Sequence, residues 1–211
     1  IGVRLVGSEM CIRDSLTKAQ DELLFQFYNK MYGLKITDLH QGVVWGTNTE
    51  ETSQHPNLVN RYDYDGDYGT VLNRFIMQSA FNFPLTIHGT GNQVRPFINI
   101  NNTADCILLA SESKGKFEEV KIYNQLTETF KLIDLAKKIK KITNCKISHQ
   151  KNPRIESENN TLIAKPVGLI ELGLRPIPLS DNLIKKEIEI AKENYRRVDV
   201  GKIKAKSQWK I

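Results

Sequence analysis

The residue that most invites a chemical reading is Arg95. It follows the turn Gly89-Thr90-Gly91 and precedes the apolar run Pro96-Phe97-Ile98. A guanidinium held by extended backbone offers two parallel N–H donors, the geometry that grips a phosphate or diphosphate. Gln93 lies two positions earlier, so alternation along a strand sends both side chains from one face. A second anion site is expected where the helical segment 69–80 begins. Gly69 and Thr70 there leave the first backbone N–H groups of a helix open, and Thr70, Asn73 and Arg74 are the side chains that reach it. Each has a plainer reading: a surface arginine at a turn, a capping threonine, a solvated arginine. His88 has no cysteine or carboxylate partner in the neighbouring sequence, so no metal or nucleophile role is expected of it. Asp63, Asp65 and Asp67 have the early spacing of a calcium loop, yet no glutamate closes the twelve-residue frame. No metal site is expected.

The elements that must position these residues alternate between strand and helix. Leu85 and Ile87 alternate with Thr86 and His88, the period of a half-buried strand, and the glycines after them supply the reversal. Apolar residues at three- and four-residue steps (Leu16, Ala19, Leu23, Phe27, Met31) predict a helix over 16–32, stopped by Gly33. Residues 35–44 read as one strand, and the polar, turn-rich stretch 47–68 as a functional loop. The segment 69–80 is a helix with Leu72, Phe75, Ile76 and Ser79 inward. Asn102 is expected to cap the next helix, with Cys106 in the core. Further elements are a strand at 120–124, an amphipathic helix at 130–142, a short strand at 145–147 and a short helix at 169–172. A last helix begins at Ser180, with Ile184, Ile188, Ala191 and Tyr195 on one face. The fold class is α/β, and ligands in such sheets sit beyond the carboxyl ends of the strands, where Gln41 and Val44 fall.

These motifs in this order resemble the extended short-chain dehydrogenase/reductases, the NAD-dependent epimerase/dehydratase family acting on nucleotide sugars. The stretches that carry the likeness are Leu39–Gly46, Asn60–Asp65, Gly69–Phe75, Tyr123–Glu128, Asn152–Glu156, Leu172–Leu174 and Leu179–Asp181, running from about Lys18 onward. Within the family they are most similar to the branch that joins sulfite to UDP-glucose for sulfolipid synthesis. The resemblance implies NAD as cofactor, UDP-glucose and sulfite as substrates, a homodimer when complete, and a bacterial-cytoplasmic or plastid-stromal setting. A sulfite-supplying protein partner is a further possibility it raises. It gives Lys18 a catalytic role and a place at the nicotinamide ribose, and puts Gln41 near the nicotinamide end. Val44 would meet the sugar, Thr86 and His88 the uracil, and Arg95 and Arg154 the diphosphate, with Glu156 on a ribose hydroxyl. Thr70, Asn73, Arg74 and Gln93 complete the substrate set.

The chain departs from that pattern at its start. The family's catalytic tyrosine stands four residues before the lysine, but position 14 here is Asp14. Residues 1–15 resemble a translated sequencing adapter and are expected to add little to the fold. The glycine-rich loop that holds the NAD pyrophosphate is absent. The chain therefore reads as the later part of a Rossmann-like fold plus its smaller substrate domain, without the first strands, and inactive alone. Composition agrees with an ordinary globular protein, since no apolar run approaches the ~20 residues of a membrane span. Three cysteines, an odd count without metal spacing, argue against a disulfide framework. The net charge of +6 admits a nucleic-acid-binding module as a reading from another class. The late lysines are interleaved with glutamates on helix faces, however, which favours a solvated surface. Another UDP-sugar epimerase or dehydratase is the alternative within the family. Neither nucleic acid nor membrane is expected as a partner.

Overall fold

The computed structural model describes residues 9–66, 69–113, 119–152 and 162–204, with side chains from residue 16 onward. In chain order the elements are α1 (Glu9–Tyr32), β1 (Thr37–Gln41), β2 (Val43–Trp45), α2 (Val71–Ala80), β3 (Leu85–His88), β4 (Val94–Asn99) and α3 (Ile100–Glu112). They continue with β5 (Lys121–Gln125), β6 (Glu128–Lys131), α4 (Leu132–Thr143), β7 (Ile147–Gln150), α5 (Val167–Glu171) and α6 (Asp181–Glu193). Short 3-10 turns follow at Tyr195–Arg197 and Val200–Ile203.

The α/β expectation holds. Three parallel pairs, β1 with β5, β2 with β4 and β3 with β7, lie in three separate sheets, and one antiparallel pair, β4 with β6, extends the second of them. The strand expected over 35–44 is two strands. It breaks at Gly42, whose N–H donates to the Gln125 carbonyl at 2.8 Å, and the halves enter different sheets. Strand β6 escaped sequence reading because Glu128–Lys131 alternates half-buried with exposed residues and lacks an apolar run.

Helix α2 buries Leu72, Phe75, Ile76 and Ser79 as its period requires. It packs with α4, α6 and β3 around Leu85, Ile87, Phe97, Leu135, Ile139 and Ile184, all within 1% of complete burial. In α6 the hydroxyl of Ser180 accepts from Leu183 N, and Ile184, Ile188 and Ala191 face inward. Tyr195 does not, because the α-helix ends at Glu193 and the next turn swings the ring into solvent.

A smaller core gathers Ile98, Cys106, Leu169 and Leu174. Burial pushes the Cys106 thiol up to about 11, as befits a core residue rather than a nucleophile. Asn102 is not the cap of α3. Asn99 takes that place, accepting from Asn101 N at 2.9 Å. Asn102 is instead fully buried within the first turn. Its amide donates to the Arg175 carbonyl at 3.0 Å and accepts from Ile177 N, so it staples α3 to the 175–177 segment.

Helix α1 begins at Glu9, inside the stretch expected to add little, and continues without interruption to Tyr32. Its periodic apolar residues stay in solvent, with Leu23 66%, Phe27 49% and Met31 64% exposed. Among the described residues no helix is long and apolar enough to cross a membrane.

Candidate functional site

The residues singled out in the sequence fall into two groups. The first surrounds the ends of β3 and β7. These strands are parallel and in register from Leu85↔Ile147 to His88↔Gln150, so both chains leave the sheet together. Gly89 then turns with φ +70, and beside it stand the Gln93 amide and Asn152. Gln93 is buried and donates from Nε2 to the His88 carbonyl at 3.3 Å. Its own carbonyl accepts from Leu132 N, and that of Gly91 from Ile133 N, so the turn is sewn onto the start of α4.

A side chain at Gly91, where φ is +82, would strike Ile133 and Ile87. Backbone strain and crowding both demand glycine there. Two residues past Gln93, Arg95 lies half-buried on β4, with Nη1 donating to the Val94 carbonyl at 3.1 Å. Arg154 and Glu156 lie outside the described residues; Asn152 is the last described residue before them.

The turn into α2 is a close backbone approach with room only for glycine. A Cβ on Gly69 would lie 2.3 Å from the Asp65 carbonyl oxygen. Thr70 has extended backbone at the N-cap, yet its hydroxyl makes no capping bond. Thr70 Oγ1, Asn73 Oδ1 and Trp45 Nε1 are all closed off from solvent and have no hydrogen-bond partner among the described residues. Arg74 is 6% exposed. Buried polar atoms are nearly always satisfied in native proteins, so idle ones at a helix N-terminus point to a missing polar occupant.

Thr86 and His88 are placed differently. Thr86 is buried, its hydroxyl accepting from Gln78 Nε2 at 3.1 Å while Gln78 Oε1 accepts from Thr86 N at 2.9 Å. That side chain ties β3 to α2. His88 is half-exposed at the strand end. Val44 is half-buried and packs against the smaller core.

The second group lies at β1. Lys18 and Gln41 line one cavity of about 640 Å³, shared with Asp38, His40, Asn124 and Ala164. Lys18 is exposed in α1 and Gln41 exposed at the carboxyl end of β1. The His40 ring lies 3.4 Å from Glu22 Oε1 and 3.2 Å from Asp38 Oδ2. Those neighbours of Lys18 were not anticipated, although the two-residue step from Asp38 to His40 on a strand is a legible signal.

The loop 47–66 carries a third feature invisible to sequence. The Tyr62 hydroxyl donates to the Glu187 carboxylate, and Thr47 Oγ1 donates to the same carboxylate at 3.0 Å. The Asn60 N–H closes on the Thr47 carbonyl at 2.7 Å. Burial, reinforced by the Glu187 charge, drives the Tyr62 phenol far above its ordinary range, so it stays protonated and donating. Separations of 125 and 140 residues give such a clasp no local signature.

No family model matches the chain. A chloroplastic UDP-sulfoquinovose synthase of Spinacia oleracea is 40% identical over 200 residues, 92% of this chain. The UDP-sulfoquinovose synthase of Sulfolobus acidocaldarius is 33% identical over 165 residues, 76% of this chain. This chain is homologous to UDP-sulfoquinovose synthases. It spans 42% of the length of each of these relatives. A solved UDP-glucuronic acid 4-epimerase from Bacillus cereus, in complex with UDP-glucuronic acid and NAD, superposes with a TM-score of 0.67. It shares 22% identity, with 86% of this chain and 52% of that one covered. A Thermus thermophilus UDP-glucose 4-epimerase complexed with NAD gives 0.61 at 20% identity, covering 84% and 53%. At these identities the structural likeness speaks to the fold, which is that of the NAD-dependent epimerases.

Proposed function

We propose that this chain is the nucleotide-sugar-binding part of an NAD-dependent enzyme that makes UDP-sulfoquinovose from UDP-glucose and sulfite. The observation that carries the reading is the start of α2. Its N-cap hydroxyl and the Asn73 side-chain carbonyl are buried and have no partner among the described residues, in a chain 40% identical to a synthase of that name. An anionic sugar nucleotide would give those atoms partners and meet the positive end of the helix. Arg95, rooted in the central strand of the β2–β4–β6 sheet, supplies the guanidinium for the diphosphate, and Arg154 is proposed as the second. Gln93, two positions before Arg95 and bonded to the His88 carbonyl, is proposed to complete the substrate set. Glu156 is proposed for a ribose hydroxyl, and His88 and the backbone at Thr86 for the uracil.

For NAD, the fit is partial. Lys18 and Gln41 face one cavity, a cationic donor beside an amide, which suits the ribose and nicotinamide end. The sequence holds no glycine-rich loop for the pyrophosphate. When bound, NAD supplies a reversible acceptor for a hydride from the sugar. Lys18 is proposed to hold the ribose hydroxyls by charge-assisted donation. Asp14, where the family places a proton-accepting tyrosine, lacks that group's chemistry at neutral pH. The chain alone is therefore proposed to bind UDP-sugars without turning them over. The complete enzyme is proposed to be a homodimer, supplied with sulfite directly or by a partner protein.

Isothermal titration of this chain with UDP-glucose tests the site. Saturable binding, weakened roughly thirtyfold by Arg95→Ala, supports it; equal binding by both proteins overturns it. The reaction is tested in a full-length form with tyrosine at position 14. Sulfite-dependent consumption of UDP-glucose is the expected result, and a sulfite-independent epimer or dehydrated product would assign another enzyme of the same fold.

A further inference from the structure

A second cavity, of about 120 Å³, opens between the loop 59–64 and the carboxyl end of α6. It shares no residue with the set proposed for the sugar nucleotide or for NAD. Its floor is apolar, formed by Val59, Met77, Ile190 and Ala191. One wall is the clasp itself, Thr47 and Tyr62, whose hydroxyls are both committed to Glu187 and so have no donor to offer a ligand. The polar groups are confined to the rim, where Asn60, Arg61, Asn194 and Arg197 stand.

The two guanidinium groups are not equivalent. Arg61 is already paired with Asp63 at 3.1 Å. Arg197 has no acidic partner among the described residues, whereas the adjacent Arg196 lies over the Tyr195 ring and donates to its hydroxyl at 3.1 Å. An apolar pocket with convergent polar groups at one edge is the usual form of a small-molecule site. Here the edge is cationic, and a volume this small holds only a few heavy atoms.

We propose that this cavity is a second binding site, for a small organic anion with a branched or short apolar body and one carboxylate or sulfonate directed at Arg197. A carboxylate or sulfonate accepts two parallel donors from one guanidinium, and the apolar body covers Met77 and Ile190. Because Thr47 and Tyr62 form the wall, an occupant bridges the 47–62 loop to α6 and adds to the hold of the Glu187 clasp. This inference stands apart from the sugar-nucleotide reading, since neither its residues nor its probe are shared with it.

The test is ligand-observed NMR on this chain with isovalerate, isethionate and the neutral isostere isovaleramide, repeated on Arg197→Gln and on Arg196→Gln as a matched loss of charge. Isovalerate should bind saturably, isovaleramide at least about tenfold more weakly. Arg197→Gln should weaken isovalerate by a similar factor, while Arg196→Gln leaves it unchanged. Isethionate binding above isovaleramide would extend the site to sulfonates, and its failure would restrict the class to carboxylates and so overturn the sulfonate half. Hydrogen exchange at residues 59–64 should slow with isovalerate present. Equal binding of acid and amide, no binding of either, or equal weakening by the two glutamine variants overturns the proposal. Displacement of isovalerate by UDP would merge this cavity with the sugar-nucleotide site and overturn its independence. Matching melting curves for both variants and the parent exclude misfolding as the cause.

Discussion

The layer of α2, α4 and α6 and the layer of α1 with β1 and β5 both carry apolar residues at helical steps but reach different ends. In the first, every periodic apolar position finds a partner: Leu72, Phe75, Ile76, Leu135, Ile139 and Ile184 are sealed. In the second, α1 carries apolar residues at the same steps, and Leu23, Phe27 and Met31 remain exposed. The β1–β5 sheet has two parallel strands and no third among the described residues. Parallel sheets are stable when strands continue on both sides and helices cover both faces. The contrast teaches that an amphipathic period specifies a face but not its partner. The second layer leaves its stripe open, and the chain spans about half the length of its structural neighbours.

The widest test of that contrast is a pair of truncations. Phe75→Ala should lower stability by about 3–5 kcal/mol through lost burial and a residual cavity, while Phe27→Ala should change it by no more than about 0.5 kcal/mol. Urea unfolding of both variants measures the gap, and equal losses would show that α1 is packed in solution. Next in size, Asn102→Ala should cost about 1–3 kcal/mol, since it leaves the part-buried Ile177 N–H and Arg175 carbonyl without their partner. The same titration reads it, and a loss under 1 kcal/mol would mean that the staple is replaced by water. Ser180→Ala should remove about 1 kcal/mol by uncapping α6, visible as a lowered melting temperature, with Ser180→Asp retaining most of it.

The smallest effect concerns Glu128, whose carboxylate accepts from Leu179 N. Burial raises its pKa, against the opposing pull of that bond and of Lys138. A folded-state pKa above the unfolded value means the folded form favours the protonated acid. That contribution is present at acid pH and is lost as pH rises through the folded pKa. Glu128→Gln keeps an acceptor for Leu179 and should become more stable relative to the parent from acid to neutral pH. A pH series of melting curves decides the sign.

Much of the fold was legible because it is local. The inward face of α2, the stripe of α4 and the Ser180 cap follow from spacing and residue type alone. Where sequence reading failed, a distant contact had overridden a local preference. Asn102 has the chemistry of a cap but was drawn into the interior by backbone at 175–177, and Asn99, three positions earlier, took the cap. Gly42 split an expected strand because its two halves found partners about 80 and 55 residues further on. Of the candidate site, residue types and their order pointed to Gln93, Arg95, Thr70 and Asn73. Thr86 also bonds Gln78 and Val44 packs against the smaller core, neither contact having a marker in the linear pattern.

What the sequence by itself determined is the alternation of strands and helices, the positions of the turns and the kinship with sugar-nucleotide enzymes. These rest on backbone conformational preference and on side-chain identity. What only the tertiary structure decided is which polar groups are spent and which are left over. The Thr70 hydroxyl is idle while the hydroxyls of Thr86 and Thr47 are committed, and Arg197 faces a cavity while Arg196 lies on a ring. Hydrogen-bond satisfaction is a property of what surrounds an atom in space, and the surroundings come from parts of the chain that no local window contains.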